Sequence, residues 1–78
     1  MTTFTQDGHD YTDKAMGNGR VGNDRHYIYD AAGTFMGEVF KSCCGEYWIY
    51  DGDTCGTIHE NEPDAYVTAR QCLVAGII

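Results

Sequence analysis

Carboxylates crowd the stretch from Glu46 to Asp64. Glu46, Asp51, Asp53, Glu60, Glu62 and Asp64 fall within 19 residues that hold no Lys or Arg, in a chain of formal net charge −7. Side chains of this type at this density suit two chemistries. They can satisfy the Arg and Lys of another molecule, because a carboxylate accepts the same charge-assisted hydrogen bonds as a phosphate. They can also ligate a hard cation through oxygen. Tyr47, Trp48 and Tyr50 lie in the same stretch, and aromatic side chains of this kind are frequent binding hot spots.

Other chemistries find less to work with. His9, His26 and His59 are scattered, and no Gly-x-Ser-x-Gly or papain-like cysteine context accompanies them. His59 beside Glu60 offers acid-base chemistry at most at a strand end facing solvent. Cys43, Cys44, Cys55 and Cys72 lack paired Cys-x-x-Cys spacing; with His59 they make only an irregular zinc set, and Cys55 and Cys72 read as small buried thiols. Gly17-Asn18-Gly19-Arg20-Val21-Gly22 is glycine-rich, but without a strand before it and a helix after it the segment reads as a loop, not a phosphate cradle. No catalytic set emerges, and the chain reads as a non-enzyme without a cofactor.

The elements that must position the acids follow from punctuation and periodicity. Residues 1–24 are polar and broken by Gly8, Gly17, Gly19 and Gly22, which predicts a loosely structured arm, with a short edge strand at Phe4 and a helical turn or two over His9 to Met16. Residues 25–60 alternate aromatic and β-branched runs with Gly/Asp turns, the pattern of a four-stranded antiparallel meander. Within it His26-Tyr27-Ile28-Tyr29-Asp30 echoes Tyr47-Trp48-Ile49-Tyr50-Asp51, so Asp30 and the Asp51/Asp53 pair are expected at the tips of neighbouring hairpins. Residues 63–75 read as a helix with Pro63 in its first position, Asn61 or Glu62 capping it and Gly76 ending it. Its face of Ala65, Tyr66, Ala69, Cys72 and Leu73 should cover one side of the sheet, giving a two-layer α+β domain. The other side is expected to expose aromatics flanked by carboxylates, with Trp48 and Tyr50 as anchors.

Composition bounds the partners. Seventy-eight residues make one small domain with little room for a deep pocket. A pI near 4.5 disfavours direct binding to nucleic acid or to anionic membranes, both of which call for Lys and Arg. No apolar run reaches the roughly 20 residues of a bilayer span, and Met1 to Thr5 lacks the charge and apolar core of a signal peptide. The expected location is the cytoplasm, with reduced cysteines.

Two resemblances sharpen these readings. Asp51 to Glu62 is similar to the twelve-residue calcium loop of the EF-hand family: Asp51, Asp53, Gly56, Thr57, Ile58 and Glu62 fill its slots. Cys55 stands where an oxygen ligand belongs, and Pro63 follows the last ligand at once. That resemblance implies a calcium site of Asp51, Asp53, Thr57 and Glu62. By size, charge and architecture the whole chain resembles the small acidic anti-CRISPR proteins of bacteriophages. This second resemblance implies a stoichiometric inhibitor that acts as an acidic DNA mimic in a Lys/Arg-lined channel of a Cas effector. Its contacts would be Asp30, Glu46, Trp48, Tyr50, Asp51, Asp53, Glu60, Glu62 and Asp64. The alternatives are the calcium module and a structural or assembly protein, such as a homodimer joined at an exposed sheet edge.

Overall fold

Asp7 and Gly8 both adopt positive φ, 52° and 80°. Two such residues in succession make a type I′ turn, the turn whose twist matches paired strands. In the computed structural model, which describes residues 1–16 and 24–76, this turn joins β1 (Thr2–Gln6) to β2 (His9–Ala15). The expected irregular arm is therefore a β-hairpin, and His9 to Ala15 is strand where helical turns were predicted. The glycine-rich segment from Gly17 to Gly22 lies outside the described residues.

The hairpin extends the predicted meander to six strands. β3 (Arg25–Asp30), β4 (Phe35–Lys41), β5 (Tyr47–Asp51) and β6 (Cys55–His59) follow, each antiparallel to its predecessor, in the spatial order β1-β2-β3-β4-β5-β6. The sheet is open, with β1 and β6 as its edges. Among the described residues one helix, α1 (Ala65–Ala75), packs across β4, β5 and β6. Two layers of α+β type are thus present as predicted, with two more strands.

The helix starts later than expected. Asp64 takes a left-handed conformation, φ 52°, and its carbonyl accepts the first helical hydrogen bond, from Thr68. A residue at positive φ cannot continue a helical turn, so Pro63 stays outside the helix, and no side chain caps the start. At the other end Gly76, at φ 68°, donates to the carbonyls of Cys72 and Leu73 and closes the helix as predicted.

Register decides the core. Val39 pairs with Tyr50, and Trp48 with Ile58; directly opposed residues share a face. Ile28, Val39, Trp48 and Tyr50 meet Ala65, Ala69 and Leu73 of α1 beneath the helix. Each large side chain buried there contributes about 1.5–3 kcal/mol. Gly37 and Gly56 let the layers close. A Cβ on Gly37 would stand 2.5 Å from the Asp51 carbonyl and 2.8 Å from Leu73, and one on Gly56 would stand 2.4 Å from the Tyr50 hydroxyl. Trp48 is 9% exposed and Tyr50 only 4%. The two expected surface anchors are instead core residues, because β5 turns its even-numbered side chains towards α1. The sequence echo is likewise out of phase: Tyr27 faces away from the helix, whereas Trp48, its counterpart, faces it.

Candidate functional site

Antiparallel order puts three hairpin turns at one end of the sheet: β1–β2, β3–β4 and β5–β6. Every one carries acid. Asp7 forms the first turn, with Asp10 just beyond it; Asp30 opens the second; Asp51 and Asp53 flank Gly52 in the third. Asp30 also builds its own turn, its Oδ1 accepting from the backbone N–H of Ala32 (3.0 Å) and of Thr34 (2.8 Å). Alternate strands lie about 10 Å apart, so the three tips span roughly 20 Å. Sheet twist rotates them by about 20–25° per strand, and the row is therefore curved. The C-terminal end of α1 closes on the same end, where Leu73 to Gly76 line a cleft of about 450 Å³ with Thr34, Phe35, Met36 and Asp53. The C-terminal end of the helix dipole adds partial negative charge. A second cleft, about 380 Å³, lies between the first two tips and is lined by His9, Asp10, Tyr11, Asp30, Ala31, Ala32 and Met36.

Cations are absent from that end among the described residues. Lys14, Arg25 and Lys41 lie toward the opposite ends of their strands. Three of the chain's five cations are consumed internally: Arg25 pairs with Glu38, Lys41 with Glu60 at 3.1 Å, and Arg70 with Asp13 at 2.8 Å. Asp7, Asp10, Asp24, Asp30, Glu46, Asp51, Asp53, Glu62 and Asp64 have no ion-pair partner among the described residues.

The predicted contact set therefore divides. Asp30, Asp51 and Asp53 sit at the tip end. Glu46, Glu60, Glu62 and Asp64 sit at the other end, where the Glu60 amide donates to the Glu46 carbonyl at 2.8 Å. A single continuous ledge is not formed, because β5 and β6 run between the two groups. The same strands separate the residues of the calcium loop. Asp51 ends β5 and Asp53 lies in the turn before β6, whereas Thr57 is in the middle of β6 and Glu62 beyond its end. Five extended residues cover about 17 Å, far more than the 2.3–2.6 Å ligand distances of one calcium ion allow. The proposed EF-hand ligand set does not converge. The irregular zinc set does not converge either: Cys43 and Cys44 are exposed in the β4–β5 turn, and Cys55 is exposed at the opposite end of the sheet. His59 lies edge-on to Tyr47, and its Nδ1 accepts from the Asn61 amide at 3.1 Å.

Sequence reading missed the most elaborate polar cluster. Asp13 is only 5% exposed, beneath the first turns of α1. Its Oδ1 accepts from His26 Nδ1 at 2.8 Å, and its Oδ2 accepts from Arg70 and from the Tyr66 hydroxyl. Burial pushes the Asp13 carboxyl up, but the hydrogen bonds from Tyr66, His26 and Arg70 outweigh it and hold the group below its ordinary range. Burial, then the neighbouring carboxylate, pushes the Tyr66 phenol far above its ordinary value. The Arg70 guanidinium stacks 3.8 Å over Phe4, and the Tyr66 ring packs against His26 and Trp48. Both oxygens of the Asp13 carboxylate accept from protein groups, so the cluster ties α1 to β2 and β3. Asp7 and Asp10 were missed as well; the Asp-Gly dipeptide, a strong hairpin signal, marks the first tip.

No family model matches this chain, and neither a curated protein nor a solved structure is similar to it.

Proposed function

We propose that the protein is a non-catalytic inhibitor that binds a basic, nucleic-acid-handling surface of a partner, in the manner of the phage anti-CRISPR proteins it resembles in size and charge. The supporting observation is the tip end of the sheet. Asp7, Asp10, Asp30, Asp51 and Asp53 gather there on three successive turns, with no Lys or Arg among the described residues nearby. A curved row of carboxylates suits a channel lined with Arg and Lys, whose usual ligand is a polynucleotide backbone. In this reading Trp48 and Tyr50 hold the tips in place from the core and make no contact with the partner. Glu46, Glu62 and Asp64 at the other end contribute to the long-range field.

The test is competition. Purified Cas effector ribonucleoproteins of several types are assayed for target-DNA binding with and without the protein. One of them is expected to lose DNA binding at stoichiometric inhibitor, with the effect weakening as salt rises. The double substitution Asp51→Lys/Asp53→Lys should cost about 2–5 kcal/mol of affinity if those groups are desolvated in the complex. Retained DNA binding across the whole panel, or inhibition that survives reversal of the tip charges, overturns the reading.

A further inference from the structure

The helix covers one face of the sheet, yet the central strands are apolar on both. By register Tyr27, Tyr29, Phe35, Phe40, Tyr47 and Ile49 share the face opposite α1. Phe35 is 51% exposed and Tyr47 37%. Phe35 meets Tyr27 and Tyr29 edge-on, at centroid distances of 5.3 and 5.7 Å, and Arg25 stacks over Phe40 at 4.5 Å. An antiparallel sheet with one solvated face normally alternates apolar-in with polar-out; strands apolar on both sides belong to sheets covered twice.

We propose that the outer face is covered by a second copy of this chain, forming a homodimer that packs sheet against sheet. Charge selects that occupant. The ionic residues on this face are Lys14 and Arg25 against Asp10, Glu38 and Asp51, a net of −1 in a chain of −7. A net charge this small lets two such anions approach there with little repulsion. The arrangement is also self-complementary. Lys14 and Arg25 lie toward one end of the strands, and Asp10 and Asp51 toward the other. A two-fold axis lying across the strands sets the cationic end of each copy over the anionic end of its partner, and exposed Lys14 has no ion-pair partner of its own among the described residues. Six strands of about five residues give a footprint of roughly 450 Å² per copy. The total comes to about 900 Å², in the range of weak, transient interfaces, so the dimer is reversible. This assembly is distinct from an edge-to-edge one; it shares Asp10 and Asp51 with the tip-end reading but is read out by a different measurement, the oligomeric state.

Sedimentation equilibrium of the full chain from about 5 to 500 μM, with nuclear magnetic resonance spectra over the same dilution, tests the proposal. A monomer–dimer equilibrium is expected, with dilution shifts in the ring protons of Tyr27, Phe35 and Tyr47. Phe35→Glu should weaken dimerisation at least tenfold. Val67→Glu, which adds the same charge on the exposed side of α1, should leave it unchanged. Circular dichroism checks the fold of each variant; should Phe35→Glu fail to fold, the wild-type dilution shifts decide alone. A monomer at every concentration, equal weakening by both variants, or shifts confined to the amides of β1 or β6 overturns the proposal.

Discussion

Asp13 shows how much one side chain can tie together. Its partners stand 13, 53 and 57 residues away in the chain, and removing it leaves Arg70 without its carboxylate under the helix. Breaking a buried pair from one side costs about 3–5 kcal/mol, a large share of the roughly 5–10 kcal/mol that holds a domain of this size. Asp13→Ala should therefore shift the urea midpoint sharply downward, while Tyr66→Phe, which deletes a single hydroxyl, should cost about 1–2 kcal/mol. The acid dependence has a definite sign. The folded carboxyl lies below its ordinary value, so the unfolded chain binds the proton more readily. The stabilisation is complete above the ordinary aspartate range and disappears as pH falls through the depressed folded value. Urea titrations of wild type and Asp13→Asn should differ most near pH 7 and converge in strong acid; a constant difference would contradict the assignment. Nothing in the sequence singled out Asp13, since a lone aspartate in a polar stretch gains its meaning only from Tyr66 and Arg70 on a distant helix.

Among the elements, β3 through β6 and α1 were legible because aromatic runs between Gly/Asp turns and an apolar helical face are local signals. β1 was foreseen only as a short edge strand at Phe4, and β2 was not, because Asp is depleted in strands and four glycines suggested looseness. The turn at Asp7-Gly8 was a stronger clue than the composition around it. The helix start was misplaced by two residues because the left-handed backbone of Asp64 leaves no trace in residue type. The close packing of β4 against α1 makes a prediction at this scale. Gly37→Ala pushes a methyl group into the Asp51 carbonyl and Leu73, and overpacking of this kind costs about 1–3 kcal/mol. A thermal melt should show a clear loss, whereas Ala31→Gly, in the exposed β3–β4 turn, should change little. Which aromatics a sheet buries is a matter of register. The alternation of β5 was readable, but which of its two faces would meet the helix was not.

At the scale of the whole molecule, charge is the dominant property, and its amount was legible where its placement was not. Composition gives −7, but topology divides the acids between the two ends of the sheet and spends the cations on Asp13, Glu38 and Glu60. With nine carboxylates lacking an ion-pair partner among the described residues, self-repulsion opposes the folded state. Added salt screens it. Raising sodium chloride from about 0.05 to 0.5 M, where the Debye length drops severalfold, should increase the melting temperature. A decrease would mean that Lys41–Glu60 and Arg25–Glu38 matter more than the repulsion. The tie between Asp13 and α1 has a temporal side too. A ribosome makes β1 and β2 before the helix that fastens them. Until Tyr66 and Arg70 have been synthesised and have cleared the tunnel, the opening hairpin is supported mainly by its own ladder, and isolated hairpins are marginal in water. The nascent chain therefore secures this hairpin only when α1 arrives.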